Sequence, residues 1–216
     1  MLKKLSGFLL PALACVLASC VTKDTDHLVR ISIPDQKMLV FHQGVEIARY
    51  DVSTSKFGIS DRPGSYGTPM GKLEVASKYG TGEPSGMKFK GRRPTGEIVK
   101  PNSPGRDPIV SRILWLRGME AQNRHAYSRA IYIHGTAEEW RIGTPASYGC
   151  IRMKSHDVIK LYSMLGIGAP VEISDKPFPS PLVKNQPPQP AIRGSMASPT
   201  PAAAAVPVGT PAPHRS

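Results

Sequence analysis

The sequence predicts a mainly-β domain, and three features carry that prediction. Between residues 27 and 51, apolar and polar positions alternate with a period of two, the pattern of a strand with one buried face. Pro34-Asp35-Gln36 and Gln43-Gly44 interrupt the alternation with turn-forming residues at short intervals. Two further compact apolar runs, at 109–117 and 129–134, have the length and composition of strands.

Taken in order, Leu28, Arg30 and Ser32 alternate against Val29, Ile31 and Ile33 in the first strand. A second strand covers 37–42 and a third 45–52, so the three form a β-meander. Residues 53–71, rich in Ser, Gly, Pro and Thr, read as a long ordered loop. It ends in Thr68-Pro69-Met70-Gly71 and runs into a strand at 72–76. Residues 77–108 mix Gly and Pro with Lys78, Lys88, Lys90, Arg92, Arg93, Lys100 and Arg106 against Glu83, Glu97 and Asp107. They read as one long loop, either a solvated excursion or a lid facing a substrate. The strand at 109–117 carries Trp115, and 119–128 is a polar turn. In the strand at 129–134, alternation puts Ile131 and Ile133 on one face and Tyr132 and His134 on the other. Ser155 is placed to cap a helix that runs through Asp157, Val158, Leu161, Tyr162 and Leu165 and stops at Gly166. Asp157 in its first turn complements the helix dipole. A strand at 169–174 closes the domain.

The ends differ in composition from this core. Lys3 and Lys4 precede a short apolar stretch, interrupted by Pro11, that is too short to span a bilayer comfortably. Residues 1–19 therefore read as a secretory signal peptide. Leu17-Ala18-Ser19-Cys20 resembles a bacterial lipobox, which implies lipidation of Cys20 and a membrane anchor. Residues 20–26 would then be a lipidated linker. Val21 rather than Asp follows the cysteine, so the expected location is the periplasmic side of a membrane, the outer one in a Gram-negative cell. Half of the 22 prolines fall after Asp175, and residues 176–216 hold too little apolar surface to offset chain ordering; disorder is expected there. The domain itself is expected at 27–175.

These ends simplify the chemistry. Cys15 lies in the segment to be removed and Cys20 would carry lipid, which leaves Cys150 as the free thiol. Removal of Lys3 and Lys4 takes the formal charge from +12 to +10, still strongly basic. Aromatic residues make up 6% of the chain and no zinc-finger or RNA-binding motif occurs, which argues against nucleic acid as the partner. On an exported protein the charge suits acidic wall polymers or lipid headgroups. His27, His42, His125, His134, His156 and His214 have no metal-ligand spacing, so no metal and no cofactor are expected.

The chemistry concentrates in Ile131-Tyr132-Ile133-His134-Gly135-Thr136 and, after a polar loop, Ser147-Tyr148-Gly149-Cys150-Ile151-Arg152-Met153. A free cysteine is only a few per cent thiolate at neutral pH and needs a base to act as a nucleophile. An adjacent imidazole can lower its pKa to about 3.5–7.5. The two segments resemble the active-site signature of the L,D-transpeptidase catalytic-domain family, and Thr68-Pro69-Met70-Gly71-Lys72-Leu73 is similar to that family's Thr-Pro-x-Gly segment. The resemblance covers residues 27–174. It implies a mainly-β, sandwich-like fold with one or two short helices and the cysteine near a sheet edge.

It also implies acyl transfer on peptidoglycan stem peptides. Cys150 would attack an L-to-D peptide bond to form a thioester, and an amine would accept the acyl group. His134 would be general base and then acid, and the Gly135 carbonyl is placed to orient its ring. Backbone N–H groups at Tyr148, Gly149 and Cys150 are oxyanion-hole candidates. Arg152 is a candidate carboxylate fork and Ser147 a further substrate contact. One departure stands out: Tyr148 occupies the position where many members carry a second histidine, which leaves His134 as the base near the motif. Two other readings stay open. One is an L,D-carboxypeptidase or wall-linkage hydrolase using the same thiol. The other is a non-catalytic lipoprotein that binds peptidoglycan through its basic surface.

Overall fold

The computed structural model describes residues 22–105 and 107–179. The expected signal peptide, the lipidation site Cys20 and nearly all of the tail lie outside the described residues. A single compact unit extends to Phe178. Its first strands, β1 (His27–Ser32), β2 (Lys37–His42) and β3 (Val45–Asp51), form the expected antiparallel meander. Val29 and Ile31 are fully buried, as the alternation requires.

The chain then passes through the loop at 53–70 into β4 (Gly71–Tyr79). Here the structure departs from the sequence expectation. The segment at 77–108 is no simple loop: it carries a hairpin of β5 (Met87–Lys90) and β6 (Arg93–Ile98). Every residue of β6 is exposed, and it contains Pro94 and Gly96. Such an edge strand has no buried face to impose a period of two on its sequence. Next come β7 (Ile109–Gly118) and β8 (Tyr132–Thr136). Strand β8 starts later than expected because Ala130 turns with φ of 55°. Gly135 in β8 has no room for a side chain: a Cβ would lie 2.5 Å from the Val110 carbonyl oxygen and 3.2 Å from Val158 Cγ1.

A three-residue strand absent from the sequence reading follows Cys150: β9 (Ile151–Met153). Helix α1 (Ser155–Met164) packs on β7 and β8, and β10 (Pro170–Ser174) pairs between β1 and β4. Ser155 does not cap α1 as expected, since Lys154 holds the cap position without a side-chain bond. The Ser155 N–H instead donates to Glu139 Oε1 at 2.8 Å, so an acid from another segment meets the helix's positive end.

The ten strands form one continuous sheet in the order β3-β2-β1-β10-β4-β7-β5-β6, with β8 branching from β7 and β9 from β8. The mainly-β class holds, with the sheet curled on itself. The main core takes Val29, Ile31, Leu73, Leu114, Ile133 and Ile151 from the strands, Ile131 from just before β8, and Val158 and Leu161 from α1. A second cluster of Met87, Phe89, Ile113 and Tyr132 lies under the hairpin.

Candidate active site

Strands β8 and β9 run parallel and pair Ile133 with Ile151, His134 with Arg152 and Gly135 with Met153. Side chains paired in a parallel ladder share a face, and faces alternate along each strand. Ile133 and Ile151 enter the main core. Tyr132, His134 and Arg152 therefore occupy the other face. Cys150 immediately precedes β9, which pairs with β8 on one side and bridges to Ser53 at Arg152 on the other.

Cys150 is half-buried and packs against the second cluster. Its thiol donates to the Ala130 carbonyl at 3.5 Å. The Tyr132 backbone N–H is directed at the sulfur. His134 is 4% exposed, and its Nδ1 lies 2.8 Å from the Gly135 carbonyl oxygen. A carbonyl only accepts, so Nδ1 carries the proton and Nε2 keeps the lone pair of the neutral ring.

The electrostatics run against the sequence expectation of a lowered thiol pKa. Burial pushes the Cys150 thiol above its ordinary value, although the Tyr132 N–H and the Arg152 and Arg129 charges oppose it. Burial also pushes His134 down to about 4, against the Gly135 carbonyl and the Asp107 charge, with Arg152 adding to the fall. The two groups make no direct hydrogen bond, so desolvation governs both and each is neutral at pH 7.

The turn before Cys150 is built by Ser147, which is 1% exposed. Its Oγ donates to the Cys150 carbonyl at 2.6 Å and accepts from the Gly149 N–H at 3.2 Å. Ser147 thus braces the turn, and the Gly149 N–H is engaged by it. Gly149 has φ of 115°, and a Cβ there would lie 3.0 Å from the Gly67 carbonyl oxygen. Thr68 of the Thr-Pro-x-Gly segment backs this turn by donating to the Gly149 carbonyl at 3.1 Å. Tyr148 turns outward: its ring lies 5.4 Å from Phe57 and 5.7 Å from Tyr66, and Lys56 Nζ donates to its hydroxyl at 3.2 Å.

Arg152 meets two acids. Its Nε lies 3.1 Å from Asp107 Oδ2, and a terminal nitrogen lies 3.1 Å from Glu138 Oε2. The guanidinium is nearly buried, hydrogen-bonded to Glu138 and within ion-pair distance of Asp107, and it lines a cleft. Asp107 was missed as a site residue. Its Oδ1 accepts from Thr136 Oγ1 at 2.6 Å, from the Ala137 N–H at 2.8 Å and from the Glu138 N–H at 3.2 Å. In the sequence it stood out only as an acid at the junction of the charged excursion and an apolar strand. Lys56, Asp107, Glu138, Arg141, Tyr148 and Arg152 line a cleft of about 470 Å³. A larger one of about 730 Å³ along the β5–β6 hairpin shares Asp107 with it.

Among the described residues, no group of three or more His, Cys, Asp or Glu side chains is arranged to hold a metal. Two histidines distant in sequence do meet: His27 and His42 pair across β1 and β2 with ring centroids 4.8 Å apart, and His27 is bonded to Asp24.

The mainly-β sheet with its one α-helix defines the fold class, and the comparison with known families agrees. The chain belongs to the L,D-transpeptidase catalytic-domain family, whose model matches residues 26–173. Solved structures similar to it include L,D-transpeptidase 3 from Mycobacterium tuberculosis in complex with a faropenem-derived adduct. That match is 19% identical and covers 69% of this chain and 60% of the other, with a TM-score of 0.43. An L,D-transpeptidase from Mycobacterium smegmatis is 16% identical over 69% of this chain and 58% of its own, with a TM-score of 0.42. One from Xylanimonas cellulosilytica is 19% identical over 68% and 60%, with a TM-score of 0.45. The chain thus spans about three fifths of the length of these structures. No curated protein sequence matches it.

Proposed function

We propose that this protein is an L,D-transpeptidase that transfers the acyl group of a peptidoglycan stem peptide through a thioester on Cys150. The observation that carries this reading is the β8–β9 pairing, which sets His134 opposite Arg152, two residues from Cys150, with Nε2 left as acceptor by the Nδ1–H bond to the Gly135 carbonyl. Cys150 Sγ attacks the carbonyl carbon of an L-to-D peptide bond, and the thiol proton passes to His134 Nε2 as the S–C bond forms. Tyr148 and Cys150 supply the candidate N–H donors for the oxyanion, because that of Gly149 serves Ser147. Collapse breaks the C–N bond, and His134 returns its proton to the departing D-alanine amine. An acceptor amine then attacks the thioester and gives a proton to His134, which restores the thiol. Asp107 and the Gly135 carbonyl favour the transient imidazolium.

The reading includes export and anchoring through lipid on Cys20, supported by the sequence of residues 1–20. Incubation with tetrapeptide muropeptides, followed by mass spectrometry, tests the chemistry. Loss of terminal D-alanine and a transient acyl group on Cys150 are expected, both absent in Cys150→Ala. Products formed with and without an added amine separate transfer from hydrolysis. If the wild-type protein yields neither D-alanine nor the acyl-enzyme, the proposal is wrong.

A further inference from the structure

Cys150 packs against the cluster built on Tyr132, and a cation sits on that same cluster. Arg92 lies at the tip of the β5–β6 hairpin with φ of 65°, a left-handed conformation that bulky residues seldom adopt. Its guanidinium carbon stands 4.4 Å above the Trp115 ring and 5.9 Å from that of Tyr79. A terminal nitrogen donates to the Tyr132 hydroxyl at 3.2 Å. Trp115 is held in turn, stacked on Tyr127 at 4.0 Å and edge-on to Tyr132 at 5.6 Å.

Every one of these partners is neutral, and among the described residues no carboxylate pairs with Arg92. The two arginines whose charge reaches the thiol are both committed: Arg129 to Asp61 at 3.1 Å and Arg152 to Asp107 and Glu138. An arginine has five N–H donors in one plane, and stacking on Trp115 fixes that plane. Arg92 is therefore an oriented guanidinium with donors to spare, on the apolar wall that the thiol touches.

The proposed reaction cuts a bond one residue from the end of the donor peptide. A residue spans at most about 3.6 Å of extended chain, so the terminal carboxylate must lie close to Cys150. We infer that Arg92, held by Trp115 and Tyr132, binds the free C-terminal carboxylate of the acyl donor and makes the enzyme select acid over amidated peptides. This deepens the transpeptidase reading and rests on it.

The test uses the full chain carrying Cys150→Ala, which blocks turnover, and calorimetric titration of a tetrapeptide as free acid and as C-terminal amide. The acid is expected to bind more tightly. Adding Arg92→Ala should weaken the acid by about tenfold or more, in keeping with loss of a charged hydrogen bond, and leave the amide unchanged. Arg92→Lys should recover little, because an ammonium cannot reproduce the stacked fork. A hairpin tether without a recognition role would weaken both peptides alike, and that result overturns the assignment. So does an acid preference removed by Lys56→Ala rather than Arg92→Ala, or failure of either peptide to bind. Turnover of the same tetrapeptide by the wild-type protein reports separately. Binding as expected without turnover sinks the transpeptidase reading and leaves the carboxylate site standing, whereas turnover with an unaltered acid-to-amide ratio in Arg92→Ala sinks the site alone.

Discussion

At the scale of single residues, burial sets the chemistry of the His134–Cys150 pair more than proximity does. A resting thiolate–imidazolium pair would require the thiol pKa to fall and the imidazole pKa to rise; both move the other way. The proton must then transfer during attack, and the base stays competent wherever His134 is neutral. The rate of D-alanine release per unit substrate, kcat/KM, is expected to be level from pH 6 to 8. It should decline only as pH falls through about 4, by about tenfold per unit below it. A pH–rate profile with its inflection near 6.5 would contradict this. Glycine at 135 is the second sensitive position. Gly135→Ala sets a Cβ against the Val110 carbonyl oxygen and Val158, and both strands and α1 must give way. A loss of about 1–3 kcal/mol is expected by denaturant titration, together with reduced activity as the carbonyl holding His134 shifts. The hold of the Gly135 carbonyl on His134 was legible in the sequence because the two residues are adjacent. The true partners of Ser147 and Arg152 were not, since burial and pairing with an acid 45 positions away leave no mark beside either residue.

At the scale of elements, legibility followed the presence of a buried face. Strand β10 alternates with one face in the core and β1 buries Val29 and Ile31 about an exposed Arg30, so both could be read directly. Strand β3 turns only Ala48 and Tyr50 toward the core and is placed by the turns around it. Strand β7 buries side chains on both faces and reads as an apolar run, which length alone sufficed to assign. The β5–β6 hairpin has a solvent-facing edge, and β9 is three residues long; neither length nor period could announce them. The same excursion ends in Asp107, which fastens its return to the segment after β8 and, through Arg152, to β9. Its side chain is 6% exposed and that of Arg152 10%. Asp107→Asn keeps the shape but removes the charge opposite Arg152. Breaking a buried pair from one side costs about 3–5 kcal/mol, and the Glu138 contact to Arg152 places the expected loss at the lower end, about 3 kcal/mol. Chemical denaturation measures it, and a neutral outcome would mean that Glu138 alone satisfies Arg152.

At the scale of the whole molecule, composition carries no information on how pH acts on stability. Three groups act on the acid side, and their signs agree. His134 is held neutral in the fold with a pKa near 4 against about 6.5 when unfolded. Between those values the unfolded chain binds a proton that the folded one refuses, so stability is full above pH 6.5 and drains away as pH falls toward 4. Burial works against the carboxylates of Asp24 and Glu74. Hydrogen bonds from Gly166 and His27 to the first, and the Arg117 and Lys23 contacts to the second, nevertheless lower both below their ordinary 3.8 and 4.5. Their contribution is present above those values and is lost as pH falls further. The fold should therefore weaken in two stages, an imidazole stage between pH 6.5 and 4 and a carboxylate stage below. Thermal unfolding at pH 7, 5.5, 4.5 and 3.5 resolves the stages. In His134→Gln, which keeps a neutral polar group at that place, the decline between pH 7 and 4.5 should flatten while the fall below 4 persists. Parallel curves for variant and wild type would move the first stage to another group and remove the case for a neutral resting base.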